Sequence, residues 1–513
     1  MLRRSIFMLL CSMGLARAAE PGAPIESVAA DRPVQPREAA PGKGFTFLGM
    51  VAGRAVMTSV ATTNPFLDGQ VMGVLGGTNG TTVSDEDRAF AVEQRALGFF
   101  TYAPPILDGR FEMGAAFEVD YVWGDQSYST GGNTGGAFGG DQVNLQTRRL
   151  YGAGTLKRGG HKLRVVGGLQ FVADGATDPA SARPDDLFRL GGKLIFWGSE
   201  AAGLTVYGRY SSDMWEHVRY RLGAYTLYEE AVGSPDDVSL VMADAALHPA
   251  TGTMLGFHAW YLRDNAGGQG GGLFGSGPTS PLAQLQGAAL IDVTGDGSWA
   301  ETDADLLWLG ADLASNHDLS RGRLGGTALA VANIGKLYVT DFADIPVAGL
   351  LADAELRYRY APGLGSVIRA EALYVSGDGD AGDGRYTGII TGNSYGIVGA
   401  VYATHGALLL FPDPGAINRQ VALVYDASNQ GHGLLGLSAS VGYDLIPNKL
   451  TAVLGGAAAL VPGADPVGEE LNARLKLKPW VFGNLDLAGA VVLGSDQPAT
   501  PWTAMLTFDA LVF

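Results

Sequence analysis

The sequence predicts an all-β fold, a single antiparallel transmembrane β-barrel of about eighteen strands with short periplasmic turns and long extracellular loops. A count of about sixteen to eighteen strands satisfies the spacing. Three observations predict it. Runs of roughly ten residues alternate apolar with polar or small side chains, the period of a strand with two different faces. The connections between runs alternate short and long. Past residue 20 no stretch holds ~18 uncharged apolar residues, so a bundle of membrane helices is excluded.

Composition narrows the alternatives. Gly makes up 76 of 513 residues, about twice the usual ~7 %, with no G-x-y period. Apolar residues are 47% and charged residues only 17%; the first figure is too high for a disordered chain and the second is below the roughly 25% of soluble domains.

The N-terminus sets the compartment. Residues 1–18 read as a secretory signal: Arg3 and Arg4 form the positive end, Ser5 to Leu15 an apolar core, and Ala16-Arg17-Ala18 a small-x-small cleavage site. Residues 19–43, rich in Ala and Pro (Pro33, Pro36, Pro41), read as a flexible periplasmic lead-in, and 44–513 as the barrel. The single cysteine, Cys11, lies in the signal, so disulfides and thiolate sites are not expected in the mature chain. Losing Arg3, Arg4 and Arg17 takes the formal charge from -17 to about −20. Nucleic-acid binding, which needs the opposite sign, is excluded.

The strand period is clear in three places. Asp353, Glu355, Arg357 and Arg359 alternate with Ala352, Ala354, Leu356, Tyr358 and Tyr360. Lys162, Arg164 and Gln170 alternate with Leu163, Val165, Leu169 and Phe171, and Glu470, Asn472, Arg474, Lys476 and Lys478 with Leu471, Ala473, Leu475 and Leu477. Such runs begin near Gly44, Ala89, Gly109, Gln142, His161, Leu187, Leu204, Asp237, Thr253, Asp305, Arg323, Val347, Val367, Leu434, Lys449, Glu469, Asn484 and Pro501. Short connections include Arg158-Gly159-Gly160, Gly198-Ser199-Glu200 and Ile446-Pro447-Asn448. The long ones are 61–88, 123–140, 212–236, 265–304 and 377–433. Short turns on one side and long loops on the other are the pattern of an outer-membrane barrel, which closes its own edges and leaves no backbone group unpaired in lipid. The last run, Trp502 to Phe513, is amphipathic and ends on an aromatic, the form of strand that barrel-assembly machinery reads, although Phe513 falls on the polar parity. Tyr121, Trp123, Trp197, Trp260, Tyr261, Tyr360, Tyr374, Trp480 and Trp502 are expected in the interfacial aromatic girdles.

Membrane barrels turn their polar faces inward. The charged parity then gives, as lumen-lining candidates, Arg95, Arg149, Lys162, Arg164, Arg189, Lys193, Arg209, Arg357, Arg359, Arg369, Arg474, Lys476 and Lys478. The acids on the same faces are Glu93, Glu112, Glu118, Asp120, Asp312, Asp353, Glu355, Glu371, Glu470, Asp486 and Asp509. Arginines held close in a narrow pore bind anions through forked hydrogen bonds, while the same residues paired with acids only brace the wall. Across the turn at Pro362-Gly363, Arg357 should face Arg369, and Glu355 should face Glu371.

Three further segments carry chemistry. In Ser376-Gly377-Asp378-Gly379-Asp380-Ala381-Gly382-Asp383-Gly384, Asp378, Asp380 and Asp383 offer oxygen ligands to Ca²⁺, without the spacing or flanks of an EF-hand; a solvated acidic loop is the competing account, and no other cofactor is expected. The segment His405 to Pro414 is too apolar for a solvated loop and is expected to fold inward as a plug or constriction, or to form a short extra strand leading to Val421–Tyr425. The seven His are scattered, with no HExxH and no G-x-S-x-G elbow, so an enzyme is not expected.

With these residues in place the mature chain resembles Gram-negative outer-membrane β-barrels, and among them the alginate-export type. The carriers are the eighteen inferred strands, the Arg-bearing luminal faces and the Ser376-Gly377-Asp378-Gly379-Asp380 stretch. The resemblance implies a channel for polar or anionic solutes, with exopolysaccharide export through an Arg-lined lumen as its specific form. It implies membrane lipid, the assembly machinery and a periplasmic export partner as contacts. A general or substrate-preferring diffusion porin and a non-conducting barrel scaffold are the alternatives. A long outer loop folded to the pore waist would favour uptake over export.

Overall fold

The computed structural model describes residues 44–512 except 63–80, 84–88, 108–109, 124–143, 175–191, 194, 212–215, 229–232, 234–236, 267–301, 318, 381, 394–399, 402–405, 412–421, 425–430, 464–465 and 481. The signal segment, the lead-in and Phe513 lie outside these residues. The side chains of Asp120, Tyr121 and Lys193 are likewise outside the described set.

The wall consists of eighteen antiparallel strands. In chain order they are β1 (Phe45–Thr58), β2 (Ala89–Tyr102), β3 (Phe111–Val122), β4 (Asn144–Arg158), β5 (His161–Ala173), β6 (Trp197–Ser211), β7 (Glu216–Tyr228), β8 (Val238–Ala250) and β9 (Thr253–Asp264). They continue as β10 (Thr302–Ser315), β11 (Leu324–Val339), β12 (Ile345–Arg359), β13 (Val367–Val375), β14 (Leu434–Ile446), β15 (Leu450–Leu460), β16 (Pro466–Trp480), β17 (Gly483–Leu493) and β18 (Trp502–Val512). Each pairs with its sequence neighbours, and β18 pairs back onto β1 from Gly49↔Val512 to Thr58↔Thr503. The sheet is therefore closed, which removes the two edges that would otherwise present bare N–H and C=O groups to lipid.

Side-chain parity follows from closure. On β9, Met254, His258, Trp260, Leu262 and Asp264 point in and are buried, while Leu255, Phe257 and Tyr261 point out and are exposed. The outward set across the barrel is a belt of exposed Leu, Val, Phe and Ala, including Leu309, Leu350, Leu356, Leu454, Leu487 and Leu506. An apolar exterior of this extent fits only hydrocarbon. At the long-loop end Tyr261 and Tyr338 donate their hydroxyls to outward-facing Asp305 at 2.6 and 3.1 Å. Arg263 and Lys336 flank Asp305 in the same cross-strand row. Charge and Tyr hydroxyls mark the belt's edge there.

The short-turn end holds tight connections such as Gly159-Gly160 and Thr251-Gly252. At Pro447-Asn448-Lys449 the turn closes with Lys449 N–H donating to Ile446 O at 3.0 Å and Asn448 at φ 59°, a conformation Asn tolerates well. The opposite end holds the long connections, although 340–344 and 461–465 there are short.

One part of the strand frame differs from the sequence expectation. The 212–236 segment is not one long connection, because β7 occupies Glu216–Tyr228, and among the described residues the wall strand after β5 begins at Trp197, not near Leu187. Gly198-Ser199-Glu200, expected as a turn, pairs with β5 through Ala173↔Gly198, Val172↔Ser199 and Phe171↔Glu200. The long connection is 174–196 instead. The two shifts cancel in the strand count. The physical reason is that Gly-Ser turn preference is local and modest, and a full ladder against β5 outweighs it. Arg221, placed by the sequence in a long connection, instead lies on β7, faces the barrel interior and is buried.

Candidate lumen site

The register of β12 and β13 is the expected one: Arg357↔Arg369, Glu355↔Glu371 and Arg359↔Val367. Arg357 Nε and Nη2 bond the Glu355 carboxylate, Nη2 at 3.0 Å, and Nη1 donates to His317 O at 3.1 Å. Arg359 Nη1 donates to Leu319 O at 3.1 Å. Both arginines thus tie β12 to the turn between β10 and β11. Glu371 accepts a 3.3 Å bond from Ser438 on β14, and Arg369 lies opposite Ser440.

The other candidates on described wall strands also lie on the inner face. Arg95 is buried beside Glu118 at 3.3 Å, and Arg54 beside Glu93 at 3.4 Å. Arg149 is buried between the rings of Phe99 and Phe171, 5.5 and 5.6 Å from their centroids. Arg164 makes a forked pair with Glu112 at 2.6 and 3.1 Å, the geometry that favours arginine over lysine. Arg474 meets Asp486 at 3.4 Å, and Lys476 faces Asp486 across the β16–β17 pair. Arg209 lies in a basic cross-strand row, Lys157↔Lys162↔Arg209↔Arg219, at the short-turn end. Arg189 lies outside the described residues, and Lys193 belongs to a two-residue strand paired with Ala400–Val401, not to the wall.

A second cluster was not singled out from the sequence. Asp244 on β8 accepts from Arg221 Nε at 2.7 Å and Trp260 Nε1 at 2.7 Å, and its Oδ1 lies 2.8 Å from His258 Nδ1. His258 Nε2 lies 2.7 Å from Asp312 Oδ2 on β10. Arg221 also donates to Ala173 O at 2.9 Å and lies 5.4 Å from the Trp260 ring centroid. Four buried charged or titratable side chains from β7, β8, β9 and β10 thus form one chain of contacts along the inner wall. Its legible signal was that Arg221, Asp244, His258 and Asp312 all have luminal parity; what hid it was the misplaced frame of β7. Gly256 makes the cluster possible. It faces Asp312, and a Cβ there would overlap the Asp312 carboxylate. Gly256→Ala is expected to push Asp312 off His258 and lower stability by about 1–3 kcal/mol, read by denaturant unfolding of the assembled barrel. A stability equal to wild type would mean that the Asp312–His258 contact contributes nothing.

Towards the long loops the interior becomes apolar. Trp197 and Trp260, expected in the interfacial girdles, are fully buried inside instead. With Trp308 they stack edge to face, ring centroids 6.0 and 5.7 Å apart. The reason is parity: Trp260 shares the inner face with His258 and Asp264. Trp123, Tyr261, Tyr374 and Trp480 are exposed near strand ends, as a girdle requires.

The connection 376–433 is what these aromatics meet. It bridges to β12 through Tyr386, whose N–H donates to Pro346 O and whose C=O accepts from Ala348 N–H, both at 2.9 Å. Trp308 Nε1 then donates to Ile390 O at 2.8 Å, and Ile390 N–H donates to Asn333 at 3.3 Å. Gly392–Asn393 pairs in parallel with Trp197–Gly198 of β6. Farther on, Ala407 to Phe411 are buried inside, and 409–410 pair with 423–424 through Leu423 N–H to Leu409 O and Val424 N–H to Leu410 O, both 3.0 Å. The apolar segment 405–414 therefore folds inward over its described part, and the pairing with 423–424 supplies the strand-like contact as well. Residues 412–421 lie outside the described set.

The three candidate Ca²⁺ ligands each have their own local partner. Asp378 accepts from Thr387 at 3.1 Å, Asp380 from Gly382 N–H at 3.3 Å, and Asp383 from Arg385 Nε at 2.8 Å. The bond from Arg385 holds the Asp383 carboxyl below its usual range. Among the described residues no group of three His, Cys, Asp or Glu side chains could hold a metal ion.

A closed barrel with an apolar exterior and an inner wall of charge pairs is a membrane-spanning barrel of outer-membrane type. Its similarity to solved structures includes OccK5 (OpdH) of Pseudomonas aeruginosa, at 9% identity over 91% of this chain and 98% of that one, TM-score 0.43. OccAB1 of Acinetobacter baumannii is similar at 9% identity over 93% and 99%, TM-score 0.45. The outer membrane channel DcaP of Acinetobacter baumannii is similar at 12% identity over 91% and 97%, TM-score 0.42. No family model and no curated protein matches the chain.

Proposed function

We propose that this protein is an outer-membrane diffusion channel for small polar solutes, its outer half narrowed by an inward loop. One observation carries the reading: inside a closed barrel the described part of the 376–433 connection enters the lumen and, at 386–393, packs against β6, β10, β11 and β12, while the half nearer the short turns keeps a charged wall. A loop folded to the waist suits selective passage of small solutes. It does not suit threading of a polymer. Exopolysaccharide export loses its basis in another way too. Five of the arginines that would attract a polyanion are engaged: Arg95, Arg164, Arg357 and Arg474 with carboxylates, Arg149 between two rings. The non-conducting scaffold is the second reading, and the apolar packing of the outer half favours it.

Single-channel recording in a planar bilayer tests the two. The assembled protein is expected to conduct ions. Arg357→Gln with Arg369→Gln should shift selectivity towards cations, because Glu355 and Glu371 stay in the neighbouring row of the same face, and more so at low salt where screening is weak. Assembled barrels that never conduct would overturn the channel and leave the scaffold.

A further inference from the structure

We propose that Glu470 is the latch of the inward loop, and that its release opens the outer half of the barrel; the opening rests on the channel reading above. Glu470 lies on the inner face of β16 and is buried. Its carboxylate accepts three consecutive backbone N–H groups, from Leu408 at 2.8 Å, Leu409 at 2.9 Å and Leu410 at 2.6 Å. Asn472, two residues along the same face, donates to Glu470 Oε1 at 2.7 Å and to Gly406 O at 2.6 Å. Two wall side chains therefore hold the segment from Gly406 to Leu410.

The two parts of the 376–433 connection are held differently, and this says which part moves. Around 386–393 the hold includes backbone: the bridge to β12 and the parallel pairs Gly392↔Trp197 and Asn393↔Gly198. The adjoining turn before β6 is itself fixed, since Asp174 accepts the N–H groups of Ile195, Phe196 and Trp197 at 2.6, 2.7 and 3.2 Å. At 406–411 the wall contributes the side chains of Glu470 and Asn472, and the backbone pairs of 409–410 go to 423–424 of the same connection. Among the described residues neither 406–411 nor 423–424 pairs with a barrel strand, so 406–411 can leave the wall with the barrel's ladders intact.

The choice of residue points the same way. Apolar side chains dominate the surroundings: Ala407, Leu408, Leu409, Leu410 and Phe411 are all buried, and Phe411 packs over Gly436. A carboxylate there loses its hydration when the loop docks and regains it when the loop leaves, which narrows the gap between docked and released states. Once docked, three N–H groups depend on it, and burying them without an acceptor is unfavourable. Docking therefore holds only while this carboxylate accepts the three N–H groups.

Two readouts on one set of variants test this. Residues 19–513 contain no cysteine, so Leu409→Cys places a single thiol on the latched segment. Its labelling by a membrane-impermeant maleimide should be slow with Glu470 present. Glu470→Ala strands three buried N–H groups and should speed labelling about tenfold or more and raise the time-averaged conductance. Glu470→Gln keeps one acceptor oxygen and should fall between the two. Asn472→Ala should move both readouts in the same direction, less far. Assembly of each variant is checked by heat-dependent gel mobility. Unchanged labelling in assembled Glu470→Ala overturns the latch. Faster labelling with no conductance in any variant keeps the latch but overturns the opening, and the channel reading with it.

Discussion

Leu309→Arg is expected to reduce sharply the fraction of chain that assembles as a heat-resistant barrel in lipid vesicles, at roughly 2–4 kcal/mol for a cation near the bilayer midplane. Leu309 is exposed on the outer face of β10, and its cross-strand neighbours are Ala259 and Ala332. The belt's polar edge at Asp305 is four residues away, about 13 Å along the strand, too far for a guanidinium to reach. Leu356→Arg on β12 should be milder. It is also outward and exposed, but Tyr358, two residues on, is exposed near the end of its strand. A side chain there can carry its charge to the interface along that short distance. Assembly of Leu309→Arg at wild-type yield would mean that the outer face of β10 does not meet hydrocarbon at this depth.

Asp244→Ala is the second change with a large expected effect. It removes the ion partner of Arg221, the acceptor of Trp260 Nε1 and one of the two carboxylates facing His258. Breaking a buried pair by removing one partner typically costs about 3–5 kcal/mol, because the remaining charge stays buried without compensation. The midpoint of denaturant unfolding should fall accordingly. Asp244→Asn should fall less, since the amide oxygen still accepts from Trp260 or Arg221. Adding Arg221→Met to Asp244→Ala should recover part of the loss, which separates a stranded charge from a simple cavity. A double variant no more stable than Asp244→Ala alone would argue against charge as the cause.

Much of the wall was legible in the chain. The two-residue period places Arg357 inside and Leu356 outside, and the short turn at Pro362-Gly363 sets Arg357 against Arg369 in the observed register. That pairing is local: two strands joined by a tight turn have few registers available. The inward fold of the apolar segment around Leu408 was legible as well, since such a run has no stable place in a solvated loop. The frame of β6 and β7 was not. There Gly198-Ser199-Glu200 carries a turn signature inside a strand, and only the ladder to β5 shows which preference prevails.

What the sequence determined by itself is the class of structure and, for strands whose frame it set, the face of most residues, Leu356 and Arg357 among them. These depend on period, length and turn chemistry, all properties of near neighbours in the chain. Only the tertiary structure decided what meets across the interior. Arg221 reaches Asp244, His258 reaches Asp312, Trp197 packs against Trp308, and Glu470 takes the backbone of Leu408 to Leu410. Those partners come from different strands and from a connection that crosses the barrel. Which of them meet depends on closure of the whole sheet and on the path of the 376–433 segment, and no local pattern of residues encodes either.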